Sequence, residues 1–337
     1  MRVERLSPAE WEQHLPSDGF DVFHRREALD VLDEHAPGTL RRYAGFKGDS
    51  PVALLPLFVR EGPLGTALLS PPPSYGVSRL GPLLMPTSPK RRKHEKINSN
   101  FAEGVLDDLA VEEPLTLFRM VCHTEYPDPR PFGWADFSIE PSFTYRLDLA
   151  DADLDDVLAS FSKSLRREIT DGEELNVTVE TDRSALVDIY ETTRQRYEEG
   201  GRAFTLEWPY VRDLVDALGP WARVYVVRNE AGAVLTGIVV LYSNDAAYFW
   251  LGGARTTHEG VSINSLLHWR IIEDVVEDPP TDSIDTYDLV GANTERLCRY
   301  KSKFGADLVP YYTVESSGAT MDVAKRVYES ITRGGVS

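Results

Sequence analysis

The sequence has very little cysteine and no long apolar run. Its two cysteines, Cys122 and Cys298, are too few for a disulfide framework, and neither they nor the seven histidines show CxxC or HxxxH spacing. No stretch approaches the roughly 18 uncharged apolar residues of a membrane-spanning helix, and residues 1–6 lack the apolar core of a secretion signal. We therefore expect no metal site, no membrane insertion and a cytoplasmic location.

Lysine is also scarce, and positive charge in general is outnumbered. An excess of 54 acidic over 36 basic residues gives a net charge of −18, and only eight of the basic residues are lysine. This charge argues against binding to DNA and disfavours RNA and anionic membranes. An acidic surface with so little lysine suggests a halophilic protein, whose self-repulsion molar salt would screen within about 3 Å. The open alternative is an acidic mesophilic protein encoded by GC-rich codons.

The length of the chain predicts two domains. With 337 residues, of which 42% are hydrophobic, it can form two domains of roughly 150 to 180 residues, and disorder, a collagen-like fibre and a coiled coil are excluded. A strand-like stretch over residues 143–149 is followed by an acidic run that could cap a helix. We place the boundary there, with an N-terminal domain over residues 1–149 and a C-terminal domain over residues 150–337.

Hydrophobic periodicity predicts an α+β fold. Apolar residues at three- and four-residue spacings predict one helix over residues 153–170, and three strand-like stretches between residues 221 and 251, joined by hairpin-type connections, predict an antiparallel meander. Further elements are predicted along the chain: a helix over 90–109, a helix over 263–276, a strand over 284–289, a short helix over 294–303, a strand over 308–314 and a closing helix over 321–331. The first half repeats this order loosely, which favours two related units, each a mostly antiparallel mixed sheet flanked by helices.

Three segments resemble a known family. They read FSKSLRREI over residues 161–169, YDLVGAN over residues 287–293 and RYKSKFGA over residues 299–306. A basic helix, a D-x-x-G strand end and an F/Y-K-x-x-F-G motif in this order are similar to the FemABX-type transferases, which are tandem proteins of the GNAT acyltransferase fold with CelD-like relatives. The resemblance covers about residues 140 to 316 well and the first half more vaguely.

This resemblance implies an acyltransferase acting on an amine. Members of the family include enzymes that use aminoacyl-tRNA to extend peptidoglycan precursors, and relatives presumed to use acyl-CoA. It therefore implies a small acyl or aminoacyl donor and an amine acceptor on a glycan, lipid or peptide precursor. No bound cofactor is expected. Acyl-CoA is the expected co-substrate, since the acidic charge of the chain disfavours tRNA.

The resemblance also selects candidate catalytic residues. Lys301 occupies the lysine position of the motif, where it could contact a phosphate or the transferring carbonyl. The alternative is a solvated lysine whose stem packs beside Tyr300 and Phe304. Asp288 and Asn293 frame the turn before it and could orient an acceptor amine, although an Asx turn that ends the strand explains them at least as well.

Two segments could bind the donor. GNAT proteins present backbone N–H groups to a pyrophosphate from a Q/R-x-x-G-x-G/A loop, which would place Gly260, Val261 and Ser262 in this role. The stretch THEGVS over residues 257–262 keeps only the central glycine, and this departure weakens the case for CoA. Arg166 and Arg167 could clamp a phosphate, or could be there because the last turn of a helix favours arginine.

Other residues are candidates by type alone. Tyr248 and Trp250 alternate on the last meander strand and could bind substrate, although core packing is the more common role of such aromatics. His258 and His268 could serve as general bases but show no partner in the sequence. The basic run over residues 90–96 could meet tRNA, or could be the solvated start of a helix.

Two functions follow from these observations. The leading hypothesis is an N-acyltransferase of the tandem-GNAT type with its active site in the second domain. The alternative is a non-catalytic binding module that kept the fold but lost the donor loop.

Overall fold

The computed structural model describes residues 1–17, 19–63, 65–86, 88–109, 116–254 and 256–317. The chain forms two compact units. The first contains Met1–Ser142 together with the described residues from Pro310 onward, and the second is Phe143–Val309. The predicted boundary at residues 149 and 150 differs from this division, which falls earlier in the chain and returns the residues after Val309 to the first unit.

The two units are built from β-strands and helices. The strands are β1 Arg2–Arg5, β2 Thr39–Lys47, β3 Ser50–Gly62, β4 Gly65–Ser70, β5 Leu83–Leu84, β6 Thr116–Val121, β7 Phe137–Asp148, β8 Val177–Thr181, β9 Ala222–Asn229, β10 Val234–Tyr242, β11 Ala246–Gly252, β12 Thr257–His258, β13 Val261–Ser262, β14 Thr286–Asp288 and β15 Asp307–Ser316. The α-helices are α1 Pro8–His14, α2 Arg26–His35, α3 Arg91–Asp108, α4 Arg130–Trp134, α5 Leu154–Ser160, α6 Lys163–Glu173, α7 Leu186–Glu199, α8 Trp208–Leu218, α9 Ile263–Glu277 and α10 Glu295–Lys301. The predicted α+β fold is confirmed.

The first unit is a mixed sheet with helices against it. Strands β1, β2, β3 and β4 follow one another in antiparallel order, β4 pairs with β6 in parallel, and β6 pairs with β15 antiparallel. Its core includes Tyr43, Leu55, Phe101 and Phe118, which are buried. Phe101 lies on α3, so the apolar face of this helix covers the sheet, as the periodicity of residues 90–109 predicts.

The second unit contains the predicted meander. Strands β8, β9, β10 and β11 pair antiparallel in sequence order, and β14 joins β11 in parallel and β7 antiparallel. Helices α6 and α9 contribute Leu165, Ile169, Leu267 and Ile271 to its core, all of which are buried. The side chain of Phe304, after α10, belongs to the same core.

Strand β11 carries a β-bulge, and its pairing with β14 ends before β11 itself does. Val239 of β10 faces Leu251, whereas the next residue, Val240, faces Phe249, so that Trp250 is an extra residue on β11. The parallel pairing with β14 extends only from Ala246 to Tyr248. Past Tyr248, β11 therefore continues to Gly252 without β14 at its side.

The predicted helix over residues 153–170 is wrong in one respect, because it is two helices. Phe161 and Ser162, between α5 and α6, have extended backbone conformations, with ψ angles of 151° and 148°. The Ser162 hydroxyl accepts a hydrogen bond from the N–H of Leu165, and the Ser162 N–H donates to the carbonyl of Lys303. Ser162 thus caps a new helix, while Phe161 still points into the core and preserves the apolar spacing.

The closing helix predicted over residues 321–331 lies outside the described residues. In the part of the chain that the structure describes, no helix combines the length and apolar character needed to cross a bilayer.

Candidate functional site

Lys301 is buried. Its side chain is only 4% exposed, and its ammonium donates hydrogen bonds to the carbonyl oxygens of Val290 and Gly291, the latter at 2.9 Å. The Nζ atom also lies 5.7 Å from the centre of the Phe249 ring on β11. Burial lowers the pKa of Lys301 to about 8, although the nearby Asp288 carboxylate opposes this change. The alternative of a solvated lysine is therefore wrong, and the catalytic role of Lys301 stays a prediction.

Asp288 and Asn293 fix the turn that Lys301 contacts. The buried Asp288 carboxylate accepts hydrogen bonds from the Thr144 hydroxyl at 2.6 Å and from the N–H of Val290 at 2.8 Å. Asn293 accepts a hydrogen bond from the N–H of Phe143 at 2.8 Å. The bond from Val290 to Asp288 is the Asx-turn geometry that the sequence left open. Any role of either side chain towards an acceptor amine stays a prediction.

The residues that follow Lys301 in the motif contact neighbouring elements of the fold. Lys303 forms an ion pair of 3.3 Å with Glu168 of α6, and Glu168 also accepts a hydrogen bond of 2.6 Å from Ser265 of α9. Gly305 has a φ angle of +65°, and a Cβ atom there would lie 2.9 Å from the carbonyl oxygen of Ser160. Phe304 packs in the core between these contacts. Lys303, Phe304 and Gly305 therefore each have a structural task.

The loop predicted to bind the donor is a short hairpin. Strands β12 and β13 pair His258 with Val261, and the two residues between them, Glu259 and Gly260, have φ angles of 50° and 85°. Positive φ at both central residues is typical of a type I′ turn. The N–H of Ile263 is also engaged, since it donates to the carbonyl of Thr256. Pairing thus uses N–H groups that an open phosphate-binding loop would present.

Helix α9 begins directly after this hairpin. Ser262 occupies the N-cap position, but its side chain makes no capping hydrogen bond. The neighbouring Asn264 is buried, and its Nδ2 donates to the carbonyl of Gly253 at 2.9 Å. The end of β11 and the start of α9 are thereby tied together. The binding roles of Gly260, Val261 and Ser262 stay predictions.

The two candidate arginines lie in a different part of α6 from that predicted. Because α6 begins at Lys163, Arg166 and Arg167 are in its first half, and an attraction to the last turn does not explain them. Arg166 donates to the carbonyl of Ala159 at 2.9 Å, whereas Arg167 is largely exposed and lies 3.4 Å from Asp171. The structure does not bring them together with the hairpin residues through any hydrogen bond among the described residues.

The aromatic and histidine candidates divide between core and surface. Tyr248 is buried, while Trp250, at the bulge, is partly exposed. His268 is 1% exposed, hydrogen-bonds the Tyr287 hydroxyl through Nδ1 at 2.9 Å, and has its pKa lowered to about 3 by burial, so that it is neutral. His258 lies on the exposed hairpin, 4.0 Å from Glu259. A buried neutral His268 that is bonded to Tyr287 is a core residue.

Two features escaped the sequence analysis. The first is Tyr300, next to Lys301 on α10, whose ring stacks edge-on against Phe304 with centroids 5.5 Å apart and lies 6.1 Å from the ring of His268. The one signal in the sequence for Tyr300 was its position next to the motif lysine. The second is Arg196 of α7, whose guanidinium donates to the carbonyls of Gly253 at 3.0 Å and Gly252 at 3.4 Å, at the end of β11.

A cavity of about 590 Å³ lies between α7 and the start of β10, lined by residues that include Asp188, Glu191, Gln195, Thr236 and Ala254. Within the described ranges, no group of three or more histidine, cysteine, aspartate or glutamate residues could hold a metal ion.

Comparison with known proteins places the fold. The acetyltransferase (GNAT) domain family matches residues 159–302. Among solved structures, FemX has a TM-score of 0.70 at 14% identity and covers 98% of this chain and 100% of its own. L-PGS from Bacillus licheniformis has a TM-score of 0.56 at 13% identity, covering 98% and 97%, and a tandem GNAT protein from the clavulanic acid biosynthesis pathway has 0.51 at 15%, covering 94% and 99%. The search of curated proteins finds no match. The recognition of a FemABX-like tandem-GNAT fold is confirmed.

Proposed function

We propose that this chain, whose residues 159–302 match the GNAT domain family and whose fold is that of tandem-GNAT proteins, is an N-acyltransferase that moves an acyl or aminoacyl group to an amine. The observation that carries this proposal is the early parting of two strands: β11 pairs in parallel with β14 only from Ala246 to Tyr248, and a bulge follows directly in β11. Past Tyr248, this edge of β11 no longer pairs with β14. A donor carbonyl lying along β11 there could accept a hydrogen bond from its backbone in place of β14.

The chemistry follows from this placement. The acceptor amine attacks the carbonyl carbon, the carbonyl oxygen becomes an oxyanion, and the carbon–sulfur or carbon–oxygen bond to the donor then breaks, with the amine losing one proton to solvent or a base. A backbone donor aimed at the developing oxyanion is worth about 100-fold to 1000-fold in rate. The leaving thiolate or alkoxide takes a proton from the hydroxyl of Tyr300 on α10, the group that we assign to this step, and the resulting tyrosinate regains a proton from solvent.

Lys301 acts on the site indirectly, because it holds a backbone turn in place. Its ammonium fixes the Val290–Gly291 turn that connects the end of β14 to α10. α10 carries Tyr300, so this contact sets where the hydroxyl lies. We assign to Asp288 and Asn293, which fasten the same turn, the same kind of positioning role.

The donor is acyl-CoA in our leading proposal. The structure of the clavulanic acid tandem GNAT protein is described as being without AcCoA, which gives one neighbour of this fold a named connection to that donor. The net charge of −18 opposes binding of a large polyanion such as tRNA. The paired hairpin over residues 257–262 is unlike an open phosphate loop, so a charged tRNA is the second donor that a test must include. The acceptor is an amine of a glycan, lipid or peptide precursor.

Amide formation tests the proposal. The full chain is incubated in molar KCl with either acetyl-CoA or a mixture of charged tRNAs, together with a panel of amino sugars, amino lipids and peptides, and products are detected by mass spectrometry. We expect an amide whose mass increases by the acyl group, formed with one of the two donors. A correctly folded protein that gives no amide with either donor would favour the non-catalytic binding module instead.

A further inference from the structure

Like the second unit, the first unit contains a parallel pair of neighbouring strands, formed by β4 and β6. The pairing runs from Thr66 opposite Thr116 to Ser70 opposite Met120, and β4 ends there. In the second unit, the parallel pairing of β11 with β14 ends at Tyr248, and the proposed place for the donor lies past it. What lies beside β6 past Ser70 therefore decides whether the first unit offers a similar place.

The chain itself returns to this place after a loop over residues 71–78. The N–H groups of Leu80 and Gly81 both donate to the carbonyl oxygen of Val121, the last residue of β6, at 3.1 Å and 2.8 Å. Strand β5 then pairs with a part of β3 that β4 does not reach. Residues 79–84, which we call the closing segment, therefore fill the sheet between β3 and β6 past the end of β4.

Gly81 fits this place because it has no side chain. A Cβ atom there would lie 2.5 Å from the Cα atom of Cys122 and 3.0 Å from the carbonyl oxygen of Val121. Both neighbours are backbone atoms, which cannot move aside as the end of a side chain can. Ser70 adds a hydrogen bond of 3.0 Å from its hydroxyl to the carbonyl of Leu80. A donor could lie beside β6 here only if the closing segment moved out.

Buried polar groups hold the closing segment in place. The guanidinium of Arg79 lies 3.5 Å from the carboxylate of Asp21 and 5.4 Å from the centre of the Tyr311 ring, and Arg79 and Asp21 are each only 1% exposed. The Nε2 atom of the buried His24 lies 3.1 Å from the carbonyl oxygen of Gly81. Separating a buried ion pair is strongly destabilising, because each charge then loses its counter-ion. Moving the segment out would break these contacts together.

The rest of the loop is different. Residues 73–78 are exposed or half-buried, whereas residues 79–83 are buried. A loop that only connected β4 with β5 could remain on the surface throughout. The burial of one part, together with its ion pair and its glycine contact, indicates that filling the sheet is a separate task of the closing segment.

We propose that the first unit is closed to donors by its own residues 79–84, and that each chain therefore binds a single donor, in the second unit. The inference rests on the proposed function for the position of that donor. A fold with two such parallel pairs could otherwise offer two places for one. In the first unit the closing segment takes the place beside β6 that an acyl donor would need.

Hydrogen exchange of the free full chain tests whether the closing segment stays in place. The amide protons of Leu80 and Gly81 should exchange about as slowly as those of β4 and β6, and at least about 100-fold more slowly than those of residues 74–78, since stable elements open far less often than surface loops. Exchange at Leu80 and Gly81 as fast as in this loop would overturn the proposal, because a segment that opens freely leaves its place to a donor.

A pair of glycine variants tests the close packing. Gly81→Ala should lower the unfolding temperature by about 2–10 °C, because the added methyl group has no space beside the backbone at Cys122. Gly62→Ala in β3 is the matched control, since the nearest atom to a Cβ there lies 3.7 Å away, and it should leave the unfolding temperature nearly unchanged. Equal effects of the two variants would overturn the closure of the sheet at Gly81.

Counting the bound donors completes the test. Titration calorimetry of the full chain with CoA should give one equivalent per chain, and bound CoA should slow hydrogen exchange in residues 248–254 but not in residues 66–84 or 116–123. A second equivalent, or protection of either segment of the first unit, would overturn the proposal.

If CoA does not bind, acyl-CoA is removed as the donor and the count is made with charged tRNA, with the same two expectations. The closure and the proposed function can also fail separately. Slow exchange at Leu80 and Gly81 in a protein that forms no amide would leave the closure standing and remove the proposed function. Amide formation by a protein that binds two donors would do the reverse.

Discussion

The Nζ atom of Lys301 donates a hydrogen bond of 2.9 Å to the carbonyl oxygen of Gly291, across ten residues of chain. The same ammonium also contacts the carbonyl of Val290. The motif lysine thus holds the turn between β14 and α10 in place. Its burial has consequences that can be measured.

The first prediction concerns the stability of the protein at alkaline pH. The pKa of Lys301 is about 8 in the folded chain, against an ordinary lysine value of 10.5 in the unfolded chain. Below pH 8 both states hold the proton; between pH 8 and pH 10.5 the unfolded chain keeps a proton that the folded chain has lost. The free energy of unfolding should therefore rise with pH in this window, by at most about 3 kcal/mol from this group. The neutral amine keeps two N–H donors for its two carbonyl partners.

Chemical denaturation from pH 7 to about pH 9.5, below the range in which ordinary tyrosines ionise, measures this slope. Lys301→Met should remove the rise, and should also destabilise the protein at pH 7 by about 1–3 kcal/mol, because two carbonyls lose their hydrogen bonds from a charged group. Lys303→Met, in the same motif, is the control and should keep the rise. Parallel curves for the wild type and Lys301→Met would show that Lys301 does not titrate in this window.

The second prediction concerns the glycine of the motif. Gly305 combines a positive φ angle with a close approach to Ser160, so Gly305→Ala should be destabilised by the left-handed conformation, about 1–2 kcal/mol, and further by the clash. Gly232→Ala is the matched control, since Gly232 has a φ angle of +78° with open space around the added Cβ. A thermal unfolding experiment should show the larger loss for Gly305→Ala, and equal losses would contradict the close approach.

The third prediction concerns the leaving group. Tyr300→Phe removes a hydroxyl while keeping the ring contacts with Phe304 and His268. If the hydroxyl protonates the leaving group, kcat should fall about 100-fold or more with little change in the KM for the donor or in the unfolding temperature. Steady-state kinetics with the donor that supports amide formation measures both constants. An unchanged kcat would remove Tyr300 from the mechanism.

The fourth prediction concerns salt. With 18 net negative charges, self-repulsion should destabilise the folded chain at low ionic strength. Raising KCl from about 0.15 M to about 1 M shortens the screening length from about 8 Å to about 3 Å, so the unfolding temperature should rise steeply over this range and less above it. A flat or falling unfolding temperature would contradict the halophilic interpretation and favour an acidic mesophilic protein.

The sequence predicted elements well where the signal was local. The meander from Ala222 to Gly252 and helix α9 follow from hydrophobic spacing and turn residues, and the structure has them at nearly the expected bounds. The break at Ser162 was missed because Phe161 keeps its place in the apolar pattern on both sides of it. A pattern of buried positions does not report whether the backbone between two turns is helical.

The candidate site depended on contacts that sequence does not encode locally. Lys301 is buried because a turn ten residues earlier presents carbonyls to it, and Glu168 links Lys303 with Ser265 from three separate elements. Contacts of this kind, between residues far apart in the chain, can be seen only in the folded structure.

The position of the bound donor tests the central proposal most directly. Hydrogen exchange of the full chain, followed by mass spectrometry, is compared with and without a non-reactive analogue of the donor that supports amide formation. We predict slower exchange in peptides that cover residues 248–254, at the bulge and the end of β11, and residues 290–301, at the turn and α10. Protection confined to other segments, with these two unchanged, would contradict an acyl-transfer site at the bulge of β11.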